Sequence, residues 1–197
     1  MDDMTLLKET LVLASKSPRR AQILEAVGWP FEQMPANIDE SRRASEDAVN
    51  YVRRLAQTKA EAVAKKIQNG LVLGADTVVV VDGIILGQPR DDDDAARMLT
   101  MLSGRWHEVV TGVALVRARQ KSQPLIDHDM TKVRFGKMQK KEIDWYVATG
   151  EPQDKAGAYA VQGKGALFIE EIQGDYFNVM GLPVRLVYEM LNKVNSS

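Results

Sequence analysis

The segment Leu71-Val-Leu-Gly-Ala-Asp-Thr-Val-Val-Val-Val81 constrains the fold more than any other part of this chain. It is rich in β-branched residues and apolar at odd and even positions alike, which is typical of a central strand buried on both faces of a sheet. Periodic apolar residues predict helices over 17–27, 45–67 and 139–148. Strands and helices that alternate in this way predict an α/β fold.

Asp76 is a carboxylate inside this apolar strand. An isolated buried carboxylate is too costly to keep ionised, so Asp76 must be hydrogen-bonded, paired, metal-bound or at a break in the sheet. Gly74 favours a break, because it permits an unusual backbone angle or a close approach just before Asp76 and Thr77. Both side chains would then face a cleft. The alternative is a structural aspartate bonded to nearby backbone amides.

The segment Leu11 to Arg20 predicts a buried strand followed directly by the start of a helix. Ser17 suits the N-cap and Pro18 suits the first helical position. The free N–H groups of such a helix attract anions, and Arg19 and Arg20 can add forked hydrogen bonds to phosphoryl oxygens. The alternative is an ordinary capped helix with solvated arginines.

A third segment, from Glu151 to Gly165, is punctuated by glycine and other small residues that let a ligand approach the backbone. Lys155 offers a point charge for a phosphate, and the amide of Gln162 offers both donor and acceptor to a nucleobase edge. The alternative is a loop with ordinary turn chemistry.

Together these segments resemble the Maf family of nucleoside triphosphate pyrophosphatases. The resemblance extends from Leu11 to about Leu191 and rests on seven motifs that occur in order: Ala14-Ser-Lys-Ser-Pro-Arg-Arg20, Leu55-Ala-Gln-Thr-Lys-Ala60, Gly74-Ala-Asp-Thr77, Leu102-Ser-Gly-Arg105, Asp154-Lys-Ala-Gly157, Val161-Gln-Gly163 and Val179-Met-Gly-Leu-Pro183. It implies a Maf/Ham1-like α/β fold, with a mixed twisted sheet flanked by helices and two lobes with a central cleft. We expect a single domain over residues 1–197, with residues 1–10 as an N-terminal extension.

The resemblance implies hydrolysis between the α- and β-phosphates of a nucleotide, which releases a monophosphate and pyrophosphate. In the branch that acts on dTTP and UTP, specificity is associated with positions that are Arg19, Thr77 and Gln162 here. For this chain we expect dTTP, UTP and modified pyrimidine triphosphates as substrates. The sister branch that acts on 7-methyl-GTP usually has tryptophan at the position of Arg19. The chain therefore resembles the pyrimidine branch.

The resemblance also implies roles for the polar residues around the phosphates. Asp76 would be the proton acceptor that activates water, and Asp76 and Glu40 would hold a divalent cation, Mg²⁺ or Mn²⁺. The expected phosphate contacts are Ser15, Ser17, Arg20, Lys59, Lys155 and Gln88. Lys59 lies at the edge of an apolar helical stripe, so a solvated lysine is the alternative there.

Gln88 departs from the family pattern, because members commonly have lysine in the motif that here reads Gly87-Gln-Pro-Arg90. A glutamine can bond a phosphate oxygen but cannot neutralise charge on a leaving pyrophosphate. This departure leaves open a second hypothesis, a catalytically weakened nucleotide-binding regulator of cell division.

Composition narrows the remaining classes. With 26 basic and 27 acidic residues the net charge is −1, so no nucleic-acid partner is expected. The chain has no cysteine, which favours the cytoplasm and, with only His107 and His128, argues against zinc. The apolar runs are too short to span a membrane.

The acidic run Asp91–Asp94 is explained by helix capping rather than by a metal. The resemblance is consistent with a homodimer of this chain.

Overall fold

The computed structural model describes residues 8–119 and 123–196. Most of the expected N-terminal extension lies outside these residues. The strands are β1 Leu11–Leu13, β2 Phe31–Gln33, β3 Leu71–Val81, β4 Ile84–Leu86, β5 Trp106–Arg117, β6 Leu125–Phe135 and β7 Ile169–Gln173. The helices are α1 Pro18–Ala26, α2 Ala48–Ala64, α3 Asp92–Leu102, α4 Lys140–Ala148, α5 Tyr176–Met180 and α6 Val184–Ser196. Three short 3₁₀ turns cover Glu151–Asp154, Ala156–Ala158 and Lys164–Phe168.

The strands form one mixed sheet in the order β2-β1-β3-β5-β6-β7, with β4 also paired to β3. Strand β1 runs parallel to both of its neighbours, and Leu11 lies opposite Phe31 on one side and Leu71 on the other. The β3–β4 and β6–β7 pairs are antiparallel. The mixed α/β architecture predicted from the sequence is confirmed.

The chain divides into two compact units. The first comprises Met1–Asp76, Thr111–Asp129 and Gly181–Ser197, and the second comprises Thr77–Val110 and Met130–Met180. Among the described residues, no helix is both long enough and apolar enough to cross a membrane.

In the first unit, helix α2 packs closely against the sheet over small apolar residues such as Ala56, Ala60 and Val72. Gly74 makes this closeness possible, because a Cβ at that position would lie 2.1 Å from the backbone oxygen of Ala56. Gly112 does the same in β5, where a Cβ would lie 2.4 Å from backbone atoms of Val52. The close approach expected at Gly74 is therefore present. The expected break in the sheet is wrong, because β3 continues without interruption through Asp76.

The second unit has its own core, in which α3 and α4 contribute Leu99 and Tyr146 and the sheet contributes Phe135. A two-residue turn joins β3 to β4, and Asp82 and Gly83 both have positive φ angles, +50° and +75°. These are the residue types and angles of a tight hairpin.

The acidic run caps α3, as predicted. The Asp91 side chain accepts a hydrogen bond from the Asp94 backbone N–H at 2.8 Å, and Asp92, Asp93 and Asp94 occupy the first turn. Negative side chains are favourable there, because the helix N-terminus carries partial positive charge.

Candidate active site

Asp76 lies in β3 with only 8% of its surface exposed, and its carboxylate is paired. Its Oδ1 is 2.7 Å from Nζ of Lys59, and the same ammonium is 3.1 Å from Oε1 of Glu40. Lys59 is itself buried, so the alternative of a solvated lysine is wrong. Two carboxylates and one ammonium therefore form a compact group, which we call the Asp76 cluster (Glu40, Lys59 and Asp76).

The packing of α2 on β3 positions two members of this cluster. Lys59 is followed in α2 by Ala60, whose Cβ would lie 3.0 Å from a Cβ at Gly74, two residues before Asp76. The hydroxyl of Tyr51, also in α2, donates to the backbone oxygen of Glu40 at 2.8 Å. The helix therefore holds the ammonium against the strand and also ties down the loop that carries Glu40.

Burial raises the pKa of Asp76 above its usual value, and the positive charges of Lys59 and Arg20 oppose that rise without cancelling it. A carboxylate with a raised pKa is a stronger base than an ordinary aspartate. This is the property required of a group that takes a proton from water at a catalytic centre.

Arg20 is a buried side chain that joins three segments of the first unit. Its Nε donates to the backbone oxygen of Gly181 at 2.7 Å, and its Nη1 lies 3.0 Å from both Oγ of Ser15 and the backbone oxygen of Ala75. Burial lowers the pKa of Arg20, and the carboxylate of Asp76 counteracts this effect. These bonds hold the end of β1 beside the residue that precedes Asp76. Phosphate binding by Arg20 and Ser15 stays a prediction.

Ser17 precedes α1 at the N-cap position, and Pro18 is the first helical residue, as predicted. The Ser17 side chain makes no capping hydrogen bond, so that part of the prediction is wrong. Its backbone N–H donates to Oγ of Ser15 at 3.2 Å. Arg19 follows and is half-buried.

Asp76 and Glu40 are the residues of the Asp76 cluster whose side chains could serve as ligands of a divalent cation. In the described ranges no group of three His, Cys, Asp or Glu side chains is arranged to hold a metal by itself. Mg²⁺ commonly takes one or two carboxylates, with water and substrate phosphates as its other ligands. Asp76 and Glu40 both contact the ammonium of Lys59, so oxygens of the two carboxylates lie around one positively charged group.

The other predicted residues belong to the second unit. Thr77 follows Asp76 in β3 and is half-buried, and Gln162 is exposed on the loop between two 3₁₀ turns. Gln88 donates from Nε2 to the backbone oxygen of Asp154 at 3.2 Å, and Lys155 is paired with the carboxylate of Asp154. Gln88 and Lys155 therefore lie on adjoining loops, which the Gly157 N–H joins by donating to the Gly87 oxygen at 3.0 Å.

Sequence reasoning missed four residues that shape these groups. Gln33 donates from Nε2 to the backbone oxygen of Ser15 at 2.8 Å, and Tyr51 holds the Glu40 loop. Gly181 accepts from Arg20, and Glu151 accepts hydrogen bonds from the loop that carries Gln162. Gly181 and Glu151 stand in segments that the sequence singles out, but Arg20 is 161 residues away from Gly181. The bonds of Glu151 to the amides of Lys164 and Gly165, 13 and 14 residues further along, depend on how the loop folds.

The chain is similar to a known protein family over most of its length. The Maf-like protein family matches residues 10–194. The dTTP/UTP pyrophosphatase of Moorella thermoacetica is 51% identical over 181 residues, which cover 92% of this chain and 93% of that protein. The dTTP/UTP pyrophosphatase of Symbiobacterium thermophilum is 48% identical over 185 residues, with 94% of each chain covered.

Among solved structures, a HAM1 protein from Coxiella burnetii has a similar fold. Its TM-score is 0.55 at 15% sequence identity, and the match covers 94% of this chain and 99% of that one. At this identity the likeness concerns the fold alone. The family match over nearly the whole chain and the close relatives show that the chain belongs to the Maf family.

Proposed function

We propose that this protein hydrolyses dTTP and UTP to the corresponding monophosphate and pyrophosphate. The observation that carries the proposal is the Asp76 cluster, a buried carboxylate of raised pKa held against a lysine and a second carboxylate. The names of relatives at 48–51% identity support the choice of substrates. Activity on modified pyrimidine triphosphates belongs to the same proposal.

Asp76 would accept the proton of the attacking water. Its raised pKa makes it a better proton acceptor than an exposed aspartate, and Lys59 stabilises the ionised form that the reaction needs. Hydrolysis of a phosphoanhydride has little covalent work for a protein, so orientation of water and stabilisation of charge account for most of the catalysis.

Mg²⁺ or Mn²⁺ would be held by Asp76 and Glu40, and when bound it would neutralise charge that develops on the phosphate oxygens. Ser15, Ser17, Arg20 and Lys59 would contact the phosphates. Gln88 and Lys155, which lie on adjoining loops, would also contact the phosphates. Arg20, Lys59 and Lys155 would supply the positive charge that binds the triphosphate.

Arg19, Thr77 and Gln162 would select the base. The amide of Gln162 is exposed and can both donate and accept, as the edge of uracil or thymine requires. Substrates of this kind imply action in the cytoplasm, without a nucleic-acid partner, and a homodimer remains part of the proposal. The alternative of a weakened regulator depends on Gln88 alone, and no contact of the described residues favours it.

The direct test is product analysis. The purified protein is incubated with dTTP, UTP, CTP, GTP and 7-methyl-GTP, with Mg²⁺, with Mn²⁺ and with a chelator. We expect UMP and pyrophosphate from UTP, with dTTP and UTP preferred and activity lost in the chelator. Release of UDP and inorganic phosphate, or binding without cleavage, would contradict the proposal.

A further inference from the structure

Glu151 is the acceptor at the centre of a hydrogen-bond network that holds the loop carrying Gln162. Its Oε1 accepts from the Tyr146 hydroxyl at 2.8 Å and from the Gly165 backbone N–H at 3.0 Å. Its Oε2 accepts from the Lys164 backbone N–H at 3.1 Å. Two consecutive backbone amides on the C-terminal side of Gln162 are therefore bound to one carboxylate.

The same network holds the N-terminal side of the loop. The Tyr146 hydroxyl, which donates to Glu151, accepts from the Ala160 backbone N–H at 3.1 Å. Tyr146 is a fully buried residue of α4, so this hydroxyl is a fixed point. Gln162 consequently lies between two segments that are attached to the same pair of side chains.

Gly163 shows how closely the carboxylate packs on this loop. A Cβ at Gly163 would lie 2.6 Å from Oε2 of Glu151, and its φ is +110°. A side chain at that position would displace Glu151 and strain the backbone. The residue immediately after Gln162 is thus shaped to fit against the Glu151 carboxylate.

An ionised carboxylate is required for this arrangement, because all three partners donate and only the charged form is purely an acceptor. Burial raises the pKa of Glu151, but bonds from Lys164, Gly165 and Tyr146 together outweigh it and leave the pKa below its usual value. Charge-assisted bonds of this kind are stronger than neutral ones.

We propose that Glu151, held by Tyr146, is a positioning residue for substrate selection, because it fixes the loop conformation in which Gln162 meets the base. The inference rests on the proposed function, in which Gln162 contacts the pyrimidine. A specificity contact through one amide depends on its placement, since a displaced amide leaves polar groups of the base without partners.

The test compares kcat/KM for UTP and for GTP in four proteins: the unsubstituted chain, Glu151→Gln, Gln162→Ala and the double variant. Glu151→Gln keeps the shape of the side chain but places an amide donor opposite backbone donors. We expect each single substitution to lower the preference for UTP over GTP about tenfold, mainly through KM for UTP. The double variant should lose no more than Gln162→Ala alone, because both act through one contact.

Two further measurements separate positioning from general damage. Hydrogen exchange at the amides of Lys164 and Gly165 should be faster in Glu151→Gln than in the unsubstituted protein. The melting temperature of Glu151→Gln should stay at least about 10 °C above the assay temperature, which shows that the variant is folded during the assay. Glu189→Gln is the matched control, since Glu189 pairs with Arg185 in α6 and should leave selectivity unchanged. If Glu151→Gln does not fold, Tyr146→Phe takes its place in the comparison, because it removes the hydroxyl that binds both Glu151 and the Ala160 N–H.

The outcomes are distinct. An unchanged preference for UTP in Glu151→Gln, or losses that add in the double variant, would overturn the positioning role while the proposed function stands. An unsubstituted chain that cleaves neither dTTP nor UTP would refute the proposed function, and this inference with it.

Discussion

Lys59 is the residue whose environment decides how the Asp76 cluster behaves. Its ammonium lies within hydrogen-bonding distance of two carboxylates while the side chain is only 10% exposed. Removing one partner of a buried ion pair lowers the free energy of unfolding by more than the intact pair contributes. The reason is that the remaining charge is left buried without a counter-charge. Lys59 therefore stabilises the fold, in addition to the phosphate contact proposed for it.

We predict that Lys59→Met lowers the free energy of unfolding by about 3 kcal/mol and kcat/KM for UTP at least about tenfold. Methionine has similar length but leaves the Asp76 carboxylate without its counter-charge. Chemical denaturation and initial rates measure the two effects. Lys66→Met, at an exposed position after the same helix, is the control.

A second comparison isolates the charge. Combining Lys59→Met with Asp76→Asn removes both members of the pair, so stability should return toward that of the unsubstituted protein although activity does not. A double variant as unstable as the sum of the single variants would show that the pair is not the source of the effect.

At the scale of elements, the contact between α2 and β3 sets the geometry of the cluster. Gly74 permits this contact, since even a methyl group there would collide with the Ala56 backbone oxygen. The helix would have to move away from the strand to accommodate it. Such a shift would separate Lys59 from Asp76, because the two residues lie on the two elements concerned.

Gly74→Ala is therefore predicted to lower the free energy of unfolding by about 2–3 kcal/mol and to reduce pyrophosphate release in parallel. Gly87→Ala is a suitable stability control, because nothing lies within 4 Å of a Cβ at that glycine. Equal stability of the Gly74 and Gly87 variants in a urea titration would contradict the packing account.

The elements themselves could be predicted from the sequence where the pattern is strong. The strand Leu71–Val81, the hairpin at Asp82 and Gly83, and the capped helix after Asp91 all follow from local chemistry. The partners of Arg20 could not be predicted, because Ala75 and Gly181 are 55 and 161 residues away along the chain. Ser17 occupies the N-cap position of α1, but its side chain makes no capping hydrogen bond.

At the scale of the whole molecule, stability depends on groups outside the cluster as well. His107 in β5 is 2% exposed, contacts the rings of Phe135 and Tyr159 edge to face, and has Nε2 2.9 Å from the Tyr159 hydroxyl. Burial lowers the pKa of His107 to about 4. The unfolded chain binds this proton more readily, so the stability that His107 contributes is present above pH 6.5 and is lost as pH falls toward 4.

Acid should therefore destabilise the protein through His107. Between pH 7 and pH 5 we predict that its contribution to the free energy of unfolding falls by about 2 kcal/mol. Asp76 acts in the opposite direction, because a raised carboxyl pKa means that stability is lost as pH rises. The measurement therefore compares how the free energy of unfolding changes with pH in the unsubstituted protein and in His107→Gln. His128→Gln is the control. Parallel curves for the first two would contradict the prediction.

The proposed catalysis depends on Asp76 as the proton acceptor, and one measurement tests this role most directly. Initial rates of pyrophosphate release from UTP are compared for the unsubstituted protein, Asp76→Asn and the control Asp144→Asn, whose exposed side chain pairs with Lys140. We predict that Asp76→Asn loses about 10²-fold or more in kcat, as expected for loss of a general base, while it still folds and binds UTP. Turnover in Asp76→Asn close to that of the control would contradict the account.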